Sequence, residues 1–306
     1  MSNISNRREF LSKSIQVGAA ALAMTIPGRL STASSKNTSQ GSQKWQIGCY
    51  TRPWDKHDYR VALDSIAEAG FKHAGLMTCN SKERLVVSVK TSEDEAIKIN
   101  EEVKKRKLEV ASVYGGGIPV DKSLQAGIDG LKKLIDNCAI VQSKTLLMGG
   151  TGNKELYETY YKAIAECCDY AAEKKIGITI KPHGGMNATG PQCRKLVEKL
   201  NHKNFTLWYD PGNIFYYSNG ELNPVDDAKT VNGLVSGVCI KDYVHPKKVA
   251  VTPGAGQVDF PAVLSQLEKG GFTHGPLIIE TLKPGTLSEI NQQAKIARQF
   301  VEGLVL

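Results

Sequence analysis

The 306-residue sequence lacks an apolar run of membrane-spanning length, lacks a Cys-x-x-Cys pair and contains only six histidines. A transmembrane helix needs about 20 consecutive apolar residues. The alanine-rich stretch from Ser14 to Ile26 is shorter, so we expect no stable membrane anchor. The seven cysteines are odd in number and scattered. A disulfide framework is therefore not expected.

The first residues resemble a bacterial twin-arginine export signal. Arg7 and Arg8 precede Phe10-Leu11, and a short, weakly apolar segment follows them. Small side chains around Ala33 would suit cleavage there. We expect residues 1–33 to be an export signal and the polar tract 34–44 to be a linker, which implies an exported, periplasmic protein. The alternative is a frayed amphipathic helix.

The sequence also has little concentrated positive charge. Its net charge of +8 includes four basic residues and one acidic residue within positions 1–33, so the remainder carries +5. The densest basic run, residues 104–107, ends a predicted helix, where cations interact favourably with the helix dipole. No basic run with interleaved aromatic residues is present. We expect no nucleic-acid partner.

From Trp45 onwards, short apolar runs alternate with longer amphipathic segments, which predicts parallel strands covered by helices. The strand candidates are 46–50, 73–77, 109–114, 145–149, 176–182, 205–210, 237–242 and 276–281, and the helical patterns are 58–69, 91–107, 123–142, 154–175, 190–200, 225–231, 260–269 and 287–303. Eight such units in about 260 residues predict a single (β/α)8 TIM barrel over residues 45–306. A doubly wound sheet, the alternative, would need fewer strands or a second domain.

In a TIM barrel, functional groups lie where the strands end. The first and third predicted strands lead into Tyr50, Arg52, Trp54 and Tyr114. Aromatic rings stack on sugars and arginine binds hydroxyls or anions, so we assign these four residues to substrate binding. Trp54 could instead pack in the core. Glycines follow two strands, but they match no phosphate-binding motif and favour turns on conformational grounds alone. Together with export, this favours a neutral sugar or keto-sugar over a sugar phosphate.

Five segments together resemble the xylose-isomerase-like TIM barrel superfamily, the sugar phosphate isomerase/epimerase family. They are Ile178 to Gly185, Leu207 to Asn213, Val238 to Asp242, Gly254 to Phe260 and Leu277 to Glu280. The resemblance covers the chain from Trp45 to its end. It implies a site in which Glu, Asp, His and Glu from strands five to eight bind a divalent ion, and in which flanking groups move protons or hydride on a sugar.

Two of the four implied metal ligands are present here. Asp210 and Glu280 stand at family ligand positions, whereas Lys181 replaces the first Glu and Cys239 replaces the His. The resemblance also places His183 in the site. We therefore expect Lys181, Asp210, Glu280 and His183 to be catalytic, and Asn213, Lys241 and Asp242 to join the substrate-binding residues.

The two replacements change the charge of the site. With a neutral thiol at Cys239, the residues at the four ligand positions carry −1 without a metal, the value that a divalent ion would give the usual ligand set. The Lys181 ammonium could thus replace the metal, and we expect no cofactor. The alternative is a divalent Mn, Mg, Co or Zn ion on Asp210 and Glu280. Lys181 could also be a structural ion-pair partner, and His183 could brace a loop.

These observations predict an exported isomerase, epimerase or lyase that acts on a sugar or keto-sugar. Asp210 or Glu280 would transfer a proton, and Lys181 would stabilise an enolate or form a Schiff base. The alternative is a barrel without catalysis that binds a sugar or a protein. Superfamily nucleases use multi-zinc clusters, for which six histidines are too few. A homo-oligomer is possible.

Overall fold

The computed structural model describes residues 44–305, in which eight parallel strands form a closed barrel in sequence order. This confirms the predicted (β/α)8 architecture. The strands are β1 (Trp45–Tyr50), β2 (His73–Leu76), β3 (Glu109–Tyr114), β4 (Thr145–Met148), β5 (Gly177–Ile180), β6 (Phe205–Tyr209), β7 (Val235–Ile240) and β8 (Gly275–Ile279). The barrel closes where β1 pairs with β8, with Cys49 beside Ile279. The export signal predicted for residues 1–33 lies outside the described residues.

Helices cover the barrel and connect successive strands. They are α1 (Tyr59–Glu68), α2 (Glu93–Lys105), α3 (Leu124–Ile140), α4 (Tyr157–Glu173), α5 (Gly190–Leu200), α6 (Pro211–Tyr217), α7 (Pro224–Lys229), α8 (Phe260–Lys269) and α9 (Leu287–Val305). Capping boxes begin two of them, with Ser92 paired to Glu95 and Thr189 paired to Gln192. Within residues 44–305, every helix is too short or too polar to cross a membrane.

Helix α6 is not predicted from the sequence. It begins directly after β6, and Pro211 occupies its first turn, where a proline is tolerated because no intrahelical N–H donor is needed. The side chain of Asp210 caps this helix by accepting the N–H of Asn213 at 3.0 Å. In the sequence, Asp210-Pro211-Gly212-Asn213 has the composition of a turn. The cap fixes the direction of the Asp210 carboxylate at the end of β6.

The interior of the barrel is filled by side chains. Tyr50 and Trp208 are fully buried there, together with Cys239 and several aliphatic residues. Glycines on neighbouring strands make room for the two rings: a Cβ on Gly75 would lie 2.2 Å from the Tyr50 ring, and one on Gly237 would lie 2.4 Å from the Trp208 ring. The barrel is thus a packed core, and its functional groups must lie above it.

The seven cysteines are all buried and free. Burial raises the pKa of the Cys49 and Cys138 thiols beyond the physiological range. These side chains therefore pack as small apolar groups, as expected from their scattered positions.

Candidate functional site

Four charged side chains meet at the carboxyl end of the barrel. Lys181, Asp210, Lys241 and Glu280 come directly after β5, β6, β7 and β8, respectively, and each is at most 2% exposed. Parallel strands in a barrel bring their ends to one edge, so residues far apart in sequence become neighbours. We call these four residues and Arg52 the ion cluster.

The ammonium of Lys181 lies between the two carboxylates. Its Nζ donates to Asp210 Oδ2 at 3.0 Å and to Glu280 Oε2, and it lies 3.9 Å from Cys239 Sγ. Burial disfavours the charged form of Lys181, but direct contacts with two carboxylates favour it. The Lys181 side chain is therefore a cation at neutral pH.

A second ammonium contacts the same carboxylates from β7. The Nζ of Lys241 lies 3.1 Å from Asp210 Oδ2, 3.0 Å from Asn213 Oδ1 and 2.7 Å from Glu280 Oε1. Asn213 is fixed in turn, because its Nδ2 donates to the backbone oxygen of Pro182 at 2.6 Å. Asn213 thus lies directly beside the ion cluster and holds the ammonium of Lys241 in place.

Arg52 completes the cluster from β1, the strand that neighbours β8 in the closed barrel. It lies in a 3-10 turn after β1, and its Nη1 donates to Glu280 Oε1. Its side chain is 34% exposed, whereas that of Glu280 is fully buried. Burial would raise the pKa of Glu280, but Lys181, Lys241 and Arg52 hold it well below the usual carboxyl range. Glu280 is consequently ionised and a weak base.

His183 follows β5 and lies between two tyrosines. The centroid of its ring is 6.4 Å from that of Tyr114 and 5.9 Å from that of Tyr217. Burial and the nearby Lys181 ammonium lower its pKa to about 4. The imidazole is neutral at neutral pH, and within residues 44–305 its ring makes no hydrogen bond.

Asp242 does not join the ion cluster, although it follows Lys241 directly. Its two oxygens accept four backbone N–H groups, from Tyr243 and Val258 at Oδ1 and from Gly254 and Gly256 at Oδ2, at 2.7–3.1 Å. The carboxylate therefore organises the loop between β7 and α8, residues 243–259.

Tyr50 and Trp54 lie below and beside the cluster. The hydroxyl of Tyr50 donates to Ser112 Oγ at 3.0 Å inside the barrel. The indole of Trp54 is 1% exposed, and its Nε1 donates to Asn291 of α9 at 2.9 Å. The structure thus places both side chains in the packed interior, which is the alternative considered for Trp54.

Sequence reasoning missed two residues around the cluster. Asn187 donates from Nδ2 to the backbone oxygens of Gly149 and Lys181, at 3.1 and 2.8 Å, and so holds the ends of β4 and β5 together. Tyr217 packs against His183 from helix α6. Neither residue follows a strand directly, so the strand-end rule gives no signal for them.

Three side chains have the composition of a metal site. The ligand atoms of Asp210, Cys239 and Glu280 all lie within 4.8 Å of one another. However, the Lys181 ammonium contacts all three of them. The three ligand atoms are close enough together to hold a metal ion. The ammonium of Lys181 already occupies these same ligand atoms.

Taken together, these features define the chain as a (β/α)8 barrel with a charged site at the carboxyl ends of its later strands. A sequence profile described as "Xylose isomerase-like TIM barrel" matches residues 63–303. The chain belongs to this family. Curated protein sequences give no match.

Solved structures share the fold at low sequence identity. A D-psicose 3-epimerase determined in the presence of D-fructose is 15% identical, with a TM-score of 0.66, over 85% of this chain and 99% of that one. A 3-keto-D-glucoside 4-epimerase from E. coli is 15% identical, with a TM-score of 0.61, over 84% and 100%. The IOLI protein with a bound zinc atom is 14% identical, with a TM-score of 0.66, over 85% and 98%. At these identities the similarity establishes the fold.

Proposed function

We propose that the chain is an exported epimerase or isomerase, or a related lyase, that acts on a sugar or keto-sugar by proton transfer. The observation that carries this proposal is the ion cluster at the mouth of the barrel, where buried charges can act on a developing negative charge. Membership of the family and the fold shared with two sugar epimerases support it.

We further propose that this site works without a divalent metal. The ion cluster contains three cations and two anions, so a divalent ion would raise its charge from +1 to +3 in a buried position. Taking uncompensated charge out of water is costly. The donor set therefore does not fit a divalent ion while Lys181 is protonated, although a fold relative holds zinc.

The residues at this site differ in the chemical role that each can take. Removal of a proton beside a carbonyl leaves negative charge on the carbonyl oxygen, and a fixed cationic site stabilises such charge. Asp210 and Glu280 both contact cations, and the pKa of Glu280 is held well below its usual range, so their part is to position Lys181 and Lys241. His183 is neutral and its ring is unengaged within the described residues, which makes it our candidate for the proton-transfer group.

The test combines metal analysis with isotope exchange. Full-length protein treated with EDTA is incubated in D2O with D-fructose, D-psicose or a 3-keto-glucoside, and deuterium beside the carbonyl is followed by NMR. We expect exchange that EDTA does not abolish, loss of exchange in His183→Asn, and unchanged exchange in the control His274→Asn, an exposed histidine before β8. One tightly held Mn, Co or Zn per chain that is required for turnover would contradict the metal-free proposal.

Burial of the cluster favours a second candidate, a barrel that binds a sugar or a protein without catalysis. Lys181, Asp210 and Glu280 are fully buried, and every carboxylate oxygen already has a partner. The double variant Lys181→Glu with Cys239→His separates the two candidates. Gain of a bound divalent ion together with new turnover supports a barrel that has lost its catalysis, whereas loss of existing turnover supports a metal-free enzyme.

The state of the cysteines is compatible with the export that we propose. The twin-arginine pathway carries folded proteins, and this barrel folds with seven buried free thiols and so needs no oxidising compartment. A fusion of residues 1–33 to green fluorescent protein should give periplasmic fluorescence. The same fusion with Arg7→Lys and Arg8→Lys should remain in the cytoplasm, and export of both fusions alike would contradict a twin-arginine signal.

A further inference from the structure

The ion cluster carries one positive charge that the described residues do not neutralise. Within residues 44–305, the charged partners of Arg52, Lys181 and Lys241 are two carboxylates, those of Asp210 and Glu280. Cys239, the remaining polar neighbour of Lys181, is a fully buried side chain whose Sγ lies 3.9 Å from Nζ, and burial disfavours the charged form of a thiol. A bound anion beside the cluster would balance this excess positive charge.

The protonation of both lysines follows from their contacts. The Nζ of Lys241 has three acceptor oxygens within 3.1 Å. The Nζ of Lys181 contacts two carboxylate oxygens and a sulfur. A neutral amine has two N–H groups and an ammonium has three, so the number of partners matches the charged form. The excess positive charge is therefore built into the packing.

Only one member of the cluster reaches solvent to a substantial degree. The side chain of Arg52 is 34% exposed, while those of Lys181 and Lys241 are at most 2% exposed. Within residues 44–305, the Arg52 guanidinium donates a single hydrogen bond, from Nη1 to Glu280. A guanidinium has five N–H donors in a planar fork. Its other donors can bind a ligand while the contact with Glu280 is kept.

We propose that Arg52 binds the carboxylate of an acidic sugar, such as a uronic or aldonic acid, and so restricts the substrate class. This inference rests on the proposed function, since it names the substrate of the same site. A carboxylate matches both the planar fork and the single unneutralised charge. A phosphate monoester carries nearly two negative charges and would reverse the sign of the cluster.

The test measures binding to the full-length protein by calorimetry. The probes are D-glucuronate, D-galacturonate and D-gluconate, with D-glucuronamide as the neutral partner of the first and glucose 6-phosphate as the phosphate probe. We expect at least one acid to bind about tenfold more tightly than the amide and the phosphate ester, because the carboxylate forms charge-assisted hydrogen bonds with the guanidinium that a neutral amide cannot form. Arg52→Gln should remove this preference, and Arg52→Lys should retain part of it.

Arg60→Gln is the matched control, because Arg60 is a partly exposed arginine that also pairs with a carboxylate, that of Asp58. It should bind the acids like the unaltered protein, and circular dichroism should show that each variant is folded. Equal binding of acid and amide, tighter binding of the phosphate ester, an unchanged preference in Arg52→Gln, or no binding of any acid would each overturn the inference. Binding of an acidic sugar without turnover would support the role of Arg52 and would contradict only the proposed enzymatic activity.

Discussion

Two fully buried aspartates at the ends of neighbouring strands are stabilised in different ways. Asp210, after β6, faces the ammonium groups of Lys181 and Lys241 at 3.0 and 3.1 Å. Asp242, after β7, faces four backbone N–H groups of its own loop. Both carboxylates are charged groups removed from water. One depends on partner side chains, and the other depends on the path of the backbone.

This difference shows where function can reside. A carboxylate held by backbone donors fixes a loop, and both of its oxygens are occupied by those donors. A carboxylate held by ammonium groups belongs to a network whose net charge can act on a ligand. The ion cluster is therefore the functional candidate at this mouth, and Asp242 is the structural element beside it.

The largest expected effect comes from removing an ammonium from the cluster. Lys181→Met leaves Asp210 and Glu280 buried with one cation fewer between them. The variant loses two charge-assisted hydrogen bonds, and a hydrogen bond to a charged group contributes roughly 1.5–3 kcal/mol, so we expect the free energy of unfolding to fall by about 3 kcal/mol or more in urea denaturation.

Lys199→Met is the control for this prediction, because Lys199 also pairs with a carboxylate, that of Glu158, but on the surface. Exposed pairs contribute about 0–1 kcal/mol. Equal losses of stability in the two variants would show that the buried contacts of Lys181 contribute no more than the surface ion pair of Lys199.

A smaller effect is expected for Asp242, the aspartate that is held by backbone groups. Asp242→Asn keeps one acceptor oxygen but turns an NH2 group towards backbone N–H groups of the loop. Leaving buried donors unsatisfied costs about 1–3 kcal/mol. We expect a loss of that size, together with faster amide hydrogen exchange at Gly254 and Gly256. Asp226→Asn, a change to an exposed aspartate, should alter neither quantity. Protection that stays unchanged at both glycines would contradict the assignment of Asp242 to the loop.

The sequence is sufficient to predict the barrel and the members of the cluster that follow strands directly. Lys181, Asp210, Lys241 and Glu280 each end an apolar run, and the strand-end rule brings them together. It cannot distinguish Asp210 from Asp242, since the difference lies in the path of residues 254–258. The count of −1 covers only the four ligand positions, and it leaves out Lys241 and Arg52, whose contacts with Glu280 depend on side-chain conformation.

The smallest expected effect concerns the pKa of His183, which depends on its burial and on the positive charge of the ion cluster. Its pKa is lowered from 6.5 to about 4 in the folded chain, first by burial and then by Lys181. Between these values the unfolded chain binds more protons than the folded one, so the free energy of unfolding falls as the pH falls through this window. From pH 6.5 to pH 5.5 the contribution of His183 is about 1 kcal/mol.

This contribution is measured as the difference between the unaltered protein and His183→Gln in urea denaturation at several pH values. Groups common to both proteins, including His73, whose pKa is also lowered by burial, cancel in the difference. The unaltered protein should lose more stability than the variant as the pH falls. Parallel stability curves would mean that the pKa of His183 is close to its unfolded value. The imidazole would then lie in water, away from the positive charge that distinguishes the ion cluster from the Asp242 loop.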